Sequence, residues 1–389
     1  MFASISRRKW LKSTALLTGG LISAPAVSPL LAGPTSPIIP PSIYERNLKF
    51  PEDMERIRVR LLANENAFGP SPMVMEAVRS SVEMGNRYGW DQAQQLTERI
   101  AQKEGVPTSH VLLGPGSSYL LEMTAIAHCQ TKGNIVAADP TFMSLIRTAM
   151  AVGAKWELVP LTSDYAHDLT KMQAAVNNKT RLVYICNPNN PTGTLTPQRS
   201  LWDFCKTVSA TTPVFVDEAY IEYISNDGMS QSMLPLVREG NDVIIARTFS
   251  KIRAMAGLRV GYIIAQPHRI KMIQDMVRPT MTLSVSSIMA AMASLDDDEF
   301  IYRSLGATTE ARSVTESGLQ ELNLTAIPSV TNFMMFPIKM EGEIFIRLMA
   351  KKGVGVRLFQ LDGKPWCRVS VGTIEDMQAF LKATREVTL

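Results

Sequence analysis

Fold class and kind of site are both indicated by one segment, Asp242-Val243-Ile244-Ile245-Ala246-Arg247-Thr248-Phe249-Ser250-Lys251-Ile252-Arg253-Ala254-Met255-Ala256-Gly257-Leu258-Arg259. Its first six residues are mostly apolar and β-branched, which predicts a strand. Hydroxyl side chains and Lys251 follow the strand, and Arg259 lies eight residues after the lysine. Such a lysine could bind an aldehyde cofactor as a Schiff base, with the hydroxyls and the arginine on the cofactor's phosphate. For a Ser-Lys pair taken alone, a solvated lysine at the start of a helix is the simpler interpretation.

Four earlier apolar runs also end in polar segments. These runs and the segments after them are Val111–Leu113 before Gly114–Ser118, Asn134–Ala138 before Asp139–Phe142, Arg181–Cys186 before Asn187–Gly193, and Val214–Val216 before Asp217–Tyr220. Stretches with helical spacing, such as Leu169–Val176, lie between the runs. Alternating strands and helices predict an α/β fold with a mostly parallel sheet, whose ligands gather at the carboxyl ends of its strands.

These strand ends resemble the active-site series of the fold-type I, class I/II pyridoxal-phosphate aminotransferases. The series consists of Asn190-Pro191-Thr192-Gly193, Asp217 with Tyr220, and Ser250-Lys251 with Arg259. Within that family the sequence resembles the histidinol-phosphate aminotransferase branch. The segments that carry this second resemblance are Asn64–Gly69, Asp217–Tyr220, Met255–Tyr262 and Arg368–Thr373. The resemblance implies a large domain with a mostly parallel seven-stranded sheet between helices, plus a smaller α+β domain.

The resemblance also implies the cofactor, pyridoxal 5'-phosphate, and the residues around its ring. Lys251 would carry the cofactor as a Schiff base and act as the general base. Asp217 would keep the pyridine nitrogen protonated, although a strand-end aspartate can also simply cap a turn. Asn190 and Tyr220 would contact the phenolic oxygen, and Phe142 would stack on the ring.

Phosphate binding is expected at a glycine-led helix start, where backbone N–H groups and the helix dipole favour an anion. Ser117 and Ser118 fit that position, and the resemblance adds Thr248, Ser250 and Arg259. Tyr88 lies where the family donates a tyrosine to the phosphate of the neighbouring subunit, which implies a homodimer with shared active sites. The family usually has proline after this tyrosine, whereas this chain has Gly89, and a surface aromatic is the alternative.

Substrate recognition requires a group that pairs with both oxygens of a carboxylate, which a guanidinium does well. Arg368 matches the family's carboxylate-binding arginine, and Arg357 corresponds to an arginine that contacts the distal part of the substrate. Asn190 is also expected to contact the substrate. A strand-edge arginine on a solvated face is the alternative for Arg368. Arg253 and Ala254 depart from the family pattern, in which an aromatic residue or histidine and a glycine are common, so the substrate side group is left open.

The N-terminus predicts an export signal. Ser6–Lys12 contains paired arginines, an apolar stretch follows, and small residues and prolines continue to Ala32. The apolar stretch is short and interrupted, so we expect the chain to meet the membrane only transiently during twin-arginine export to the periplasm. The predicted division is a signal peptide at 1–33, an N-terminal arm at 34–66, a large cofactor domain at 67–283 and a small domain at 284–389. A disordered basic tail is the alternative for the first segment.

The amino-acid composition agrees with a large enzyme and indicates neither a nucleic-acid partner nor a metal ion. The formal net charge of +4 is matched by the basic residues of the leader, so the rest of the chain is near neutral and no nucleic-acid partner is expected. The four cysteines and four histidines are scattered, which predicts no metal site. A disulfide is possible after export, although folding in a reducing compartment argues against it.

The sequence therefore predicts a periplasmic, homodimeric aminotransferase that moves an amino group from an amino acid or related amine to a 2-oxo acid. A decarboxylase, racemase or lyase on the same scaffold is the enzymatic alternative, because these reactions share the Schiff base and differ in the Cα bond that breaks. A non-catalytic cofactor-binding sensor is the other alternative. The identities of donor and acceptor do not follow from the sequence.

Overall fold

The computed structural model describes residues 54–224 and 228–388. The strands are β1 (Val59–Arg60), β2 (Val111–Gly114), β3 (Asn134–Asp139), β4 (Lys155–Pro160), β5 (Thr180–Cys186), β6 (Val214–Asp217), β7 (Val243–Thr248), β8 (Gly261–Ile264), β9 (Phe333–Pro337), β10 (Val354–Gly355), β11 (Arg357–Leu361) and β12 (Lys364–Ser370). The α-helices are α1 (Pro72–Ser81), α2 (Trp90–Glu104), α3 (Ser117–Cys129), α4 (Ser144–Ala151), α5 (Leu169–Ala175), α6 (Gln198–Val208), α7 (Leu234–Arg238), α8 (Pro267–Gln274), α9 (Val285–Leu295), α10 (Asp298–Glu321), α11 (Gly342–Lys351) and α12 (Ile374–Thr388).

The large sheet has seven strands in the order β2-β8-β7-β6-β5-β3-β4. From β7 to β4 all neighbours are parallel, and β8 is antiparallel to both β7 and β2. Strands β5, β6 and β7 are almost wholly buried, which explains why their sequences are continuous apolar runs. The predicted α/β fold with a seven-stranded, mostly parallel sheet is confirmed.

Successive residues of a central strand enter different cores on the two faces of this sheet. On β5, Leu182 and Tyr184 pack with residues of α3 and α4, whereas Val183 and Ile185 pack with residues of α2, α6 and α9. Because helices cover both faces, polar side chains of the central strands are most readily presented where the strands end. The functional residues are found there.

A smaller antiparallel sheet, in the order β11-β12-β9, packs against α10, α11 and α12 around a separate core. Strand β1 pairs with β10 in parallel, which attaches the start of the described chain to this part of the molecule. The predicted smaller α+β domain is confirmed. Its predicted boundary at 283/284 remains a prediction, and α9 itself packs in the core of the large sheet.

The predicted signal peptide at 1–33 and the first part of the predicted arm at 34–66 lie outside the described residues. None of the helices in residues 54–224 and 228–388 has the length and apolarity needed to cross a lipid bilayer. All four cysteines are buried free thiols.

A buried ionic cluster supports the strand that leads to Lys251. Arg247, on β7, lies 2.8 Å from a carboxylate oxygen of Glu218 and 3.3 Å from one of Glu104. It also donates a hydrogen bond to Ser232, while Tyr262 donates one to Glu104. Each charged group in this cluster has a polar or oppositely charged partner within it, as burial requires.

Replacing Arg247 with methionine is therefore expected to lower the free energy of unfolding by about 3–5 kcal/mol, because two buried carboxylates lose their counter-charge. Urea unfolding followed by circular dichroism measures the change. Arg199→Met is the matched control, since Arg199 is exposed and pairs with the exposed Asp203, and we expect its cost to stay below about 0.5 kcal/mol. Equal effects of the two substitutions would contradict the stabilising role of the cluster.

Candidate active site

One cavity of about 250 Å³ collects the ends of the central strands. Its walls include nearly all the residues that the sequence predicts for cofactor and substrate. The predicted residues that line it are Ser117, Ser118, Phe142, Asn190, Asp217, Tyr220, Thr248, Ser250, Lys251, Arg259, Arg357 and Arg368. Tyr88 does not line this cavity; it is 75% exposed and stacks on Trp90.

Lys251 stands just beyond the end of β7 and points into the cavity. Its Nζ donates a hydrogen bond of 3.3 Å to the main-chain oxygen of Asn64 and lies 5.4 Å from the centre of the Tyr220 ring. Removal from water and the positive charge of Arg368 lower the pKa of the Lys251 amine to about 8. An appreciable fraction of this amine is therefore neutral, and so nucleophilic, at mildly alkaline pH.

Asp217 ends β6 and is buried at the base of the cavity. Its Oδ1 accepts a hydrogen bond of 3.1 Å from the backbone N–H of Ala219, and its Oδ2 accepts one of 3.3 Å from the hydroxyl of Tyr184. Burial raises the pKa of the Asp217 carboxyl to about 6, and these two hydrogen bonds oppose the increase. The carboxylate is therefore available to hold a proton on a basic ring nitrogen.

An anion cradle lies at the start of α3. Gly116 precedes the helix with a φ of +83°, and a Cβ atom at this position would lie 2.2 Å from a guanidinium nitrogen of Arg259. Arg259 donates a hydrogen bond of 3.1 Å to Ser250. The close approach that only glycine allows brings a cation beside the N-terminus of a helix, an arrangement suited to phosphate.

Arg368 also lines the cavity. It is 2% exposed, and it donates hydrogen bonds of 2.6 Å to Asn190 and 3.2 Å to the main-chain oxygen of Leu62. The rings of Phe333 and Phe359 flank its guanidinium group. Arg357 is its partner across the β11–β12 ladder. Both predicted substrate arginines therefore meet at one wall, in a position to receive an anionic group.

Comparison with known proteins identifies the family. A family model described as Aminotransferase class I and II matches residues 56–383. The chain belongs to the class I and II aminotransferases. Histidinol-phosphate aminotransferase of Moorella thermoacetica is 36% identical to this aminotransferase over 331 residues, which cover 85% of each protein.

Solved structures agree with this assignment. One from Erwinia carotovora atroseptica has a TM-score of 0.80 at 32% identity, covering 84% of this chain and 95% of that one. Histidinol-phosphate aminotransferase from Sinorhizobium meliloti, solved in complex with pyridoxal-5'-phosphate, has a TM-score of 0.77 at 26% identity, covering 85% and 91%. The chain is a pyridoxal-phosphate-dependent aminotransferase of the histidinol-phosphate aminotransferase-like branch.

The cavity of this aminotransferase fits its cofactor on chemical grounds. The Gly116–Arg259 cradle suits a phosphate, the Lys251 amine suits an aldehyde, and the Asp217 carboxylate suits a pyridine nitrogen. Phe142 adds an aromatic side chain to the lining of the cavity. The chain therefore offers a partner for the phosphate, the aldehyde and the ring nitrogen of pyridoxal 5'-phosphate.

Asn64 is a cavity residue for which the sequence predicts no role. Its backbone is left-handed, with a φ of +55°, and its side-chain N–H donates a hydrogen bond of 3.0 Å to the hydroxyl of Tyr220. Ser370 bonds to both its main chain and its side chain. The segment Asn64–Gly69 does carry part of the family resemblance, but a contact across 156 residues has no local signal.

Arg253 and Ala254, the two residues near Lys251 that depart from the family pattern, have different surroundings. Arg253 is 6% exposed, lies 2.7 Å from the carboxylate of Glu222 and donates to the main-chain oxygen of Ser294, so its charge is satisfied outside the active-site cavity. Ala254 occupies the expected glycine position with a left-handed φ of +56°. Neither side chain lines the cavity, which leaves Arg357 as the predicted residue for the substrate side group.

Proposed function

We propose that this aminotransferase moves an amino group from an amino acid or related amine to a 2-oxo acid, with Lys251 as its proton carrier and Arg368 as its substrate anchor. The observation that carries the proposal is the convergence of Lys251, Asp217 and Arg368 on one small cavity. The related enzymes named histidinol-phosphate aminotransferases make histidinol phosphate one donor to be tested. Export, if it occurs, favours a different donor, because histidine synthesis is cytoplasmic.

Bound pyridoxal 5'-phosphate supplies an aldehyde that takes up the amino group and a ring that accepts electrons from the substrate Cα. The Lys251 amine would take the proton from the substrate Cα and deliver it to C4′ of the cofactor, a transfer for which its lowered pKa suits it. Asp217 keeps a proton on the ring nitrogen, while Asn190 and Tyr220 orient the ring at its phenolic oxygen. The phosphate would be held by Ser117, Ser118, Thr248, Ser250 and Arg259. Arg368 would bind the substrate carboxylate.

A donor screen tests the reaction type. Purified protein is incubated with 2-oxoglutarate and a panel of amino acids and related amines, histidinol phosphate included, and the products are identified by mass spectrometry. We expect glutamate and the matching oxo product in equal amounts. Carbon dioxide release, or inversion at Cα without an oxo product, would establish the decarboxylase or racemase alternative. A protein that binds the cofactor but turns over no donor would support the sensor alternative.

Replacing Arg368 with lysine is expected to raise KM for a carboxylate substrate about 10–100-fold, because one charge remains while the paired hydrogen bonds are lost. The turnover number should change less, since the substitution leaves the proton carrier in place. Steady-state kinetics with a donor found in the screen gives both constants. Arg385→Lys, at an exposed position, is the control. A KM that does not change would remove Arg368 from substrate binding.

We also propose that the active unit is a homodimer to which Tyr88 contributes. Several apolar side chains of this region are exposed, including Tyr88, Trp90, Val82 and Met281. Tyr88, Trp90 and Met281 line one shared depression, and an apolar patch of this kind is typical of a subunit interface. Analytical ultracentrifugation is expected to give the mass of two chains. The mass of one chain at all concentrations would contradict the proposal.

The periplasmic location is likewise a proposal, supported by Arg7 and Arg8 ahead of the apolar stretch. Twin-arginine export carries folded proteins, which suits an enzyme that acquires its cofactor before leaving the cytoplasm. Replacing both arginines with lysine retains the charge and is expected to leave most of the protein in the cytoplasm, as fractionation and immunoblotting would show. Lys12→Arg is the control. A doubly substituted protein that still reaches the periplasm would exclude this route.

A further inference from the structure

Tyr184 lies behind the active site and has no place in the mechanism above. It sits on β5 next to β6, is fully buried, and does not line the active-site cavity. Its hydroxyl donates a hydrogen bond of 3.3 Å to Oδ2 of Asp217. The parallel register pairs Tyr184 with Phe215 and Cys186 with Asp217, which brings the tyrosine hydroxyl up to the carboxylate from the neighbouring strand.

We propose that Tyr184 is a positioning residue that keeps the Asp217 carboxylate ionised, and thereby keeps the proton on the ring nitrogen of the cofactor. The inference deepens the proposed role of Asp217 and depends on it. A hydrogen bond from a neutral donor stabilises the charged form of a buried carboxylate. The two protons at issue are the phenolic proton, which stays on Tyr184, and the proton shared between Asp217 and the ring nitrogen.

The electrostatic surroundings show why such a donor is needed. Burial and the negative charge of Glu218 both favour the protonated form of Asp217, whereas the bonds from Ala219 and Tyr184 and the charge of Lys251 favour the carboxylate. Glu218 itself is paired with Arg247. Cys186 is the other titratable group beside this pair, and burial raises the pKa of its thiol, so it remains neutral.

Tyr184 can serve as a permanent donor. Burial raises the pKa of its phenol well above the usual range, so the hydroxyl keeps its proton at any working pH. Ala219 supplies only one hydrogen bond, to Oδ1. Without Tyr184, Oδ2 of Asp217 would lose the hydrogen-bond donor that β5 provides. Asp217 would then take the proton from the ring nitrogen more readily.

A purely structural role must be distinguished, because most buried tyrosine hydroxyls have a hydrogen-bond partner whether or not they act in catalysis. The chain provides a matched control. Tyr223 is also 1% exposed or less and lies in the same part of the molecule as Tyr220, and its hydroxyl has no hydrogen-bond partner among the described residues. Tyr184→Phe and Tyr223→Phe each remove one buried hydroxyl, but only the first removes a bond to Asp217.

The direct readout is the ¹⁵N chemical shift of the ring nitrogen in protein loaded with ¹⁵N-labelled pyridoxal 5'-phosphate. We expect a protonated nitrogen in the wild type and in Tyr223→Phe, and a shift toward the neutral value in Tyr184→Phe. The turnover number of Tyr184→Phe should fall about tenfold, as expected for the loss of one hydrogen bond to a charged group, with KM little changed. In an Asp217→Asn background, Tyr184→Phe should produce no further loss.

Three results would overturn the proposal. The first is a protonated ring nitrogen and an unchanged turnover number in folded Tyr184→Phe. The second is a fall in turnover number from Tyr184→Phe that is equally large in the Asp217→Asn background. The third is a fall of the same size in Tyr223→Phe. A neutral nitrogen in the wild type would instead refute the role of Asp217 itself. If Tyr184→Phe does not fold, 3-fluorotyrosine placed at position 184 retains the ring and is a stronger donor. The nitrogen should then remain protonated, and a shift toward the neutral value would contradict the proposal.

Discussion

Replacing Lys251 with alanine is expected to reduce transamination by about 10⁴-fold, because the same side chain is both the covalent anchor and the general base. The substituted protein should fold normally and should lose the visible absorbance that arises when the cofactor is bonded to lysine. Lys271→Ala is the matched control, since Lys271 is exposed and pairs with Asp275, the residue that caps the same helix. Activity of Lys251→Ala above about one tenth of the wild-type value would remove Lys251 from catalysis.

The pH dependence of Schiff-base formation with the cofactor also tests the role of Lys251. The Lys251 amine has a pKa lowered to about 8 in the cofactor-free cavity. Below this pKa the amine is protonated and cannot attack an aldehyde, so the capture rate should rise through about pH 8 and then level off. Stopped-flow absorbance at a series of pH values measures the rate. A rise that continues to the range of an exposed lysine would contradict the desolvated setting of the amine.

Replacing Asp217 with asparagine is expected to lower the turnover number by about 10²–10³-fold, because the ring nitrogen loses the charge that keeps it protonated. The amide retains the shape of the carboxylate, so the protein should fold and still bind the cofactor through Lys251 and the phosphate cradle. Steady-state kinetics and an absorbance titration with cofactor separate these effects.

Asp203→Asn is the control for Asp217→Asn, since Asp203 is an exposed carboxylate on α6. Its kinetics should match those of the wild type. Turnover by Asp217→Asn within about threefold of the wild type would show that the nitrogen does not need this charge, and would leave Asp217 as a residue that caps the turn after β6.

The large sheet could be predicted because a strand that is buried on both faces has a continuous run of apolar residues. Runs such as Val243–Ala246 are apolar at every position, and polar residues become frequent only toward the end of the strand and in the segment after it. Lys251, Asp217 and Asn190 were therefore visible as strand-end residues. Their convergence in one cavity follows from the parallel arrangement of β5, β6 and β7.

Other contacts could not be predicted, because they depend on packing between distant segments. The contact of Asn64 with Tyr220 requires the described N-terminal end of the chain to pass beside the cavity, which it does by pairing β1 with β10. The bond from Tyr184 to Asp217 depends on the register between two strands. Arg253 is only two residues from Lys251 in sequence, yet its side chain pairs with Glu222 outside the cavity.

The most direct test of the central claim is to identify the residue that bears the cofactor. The purified holoenzyme is reduced with sodium borohydride, which makes the bond between cofactor and lysine permanent, and is then digested and sequenced by tandem mass spectrometry. We expect a phosphopyridoxyl group on Lys251 and its loss in Lys251→Ala. A stable adduct on another lysine, or none on a protein saturated with cofactor, would contradict it.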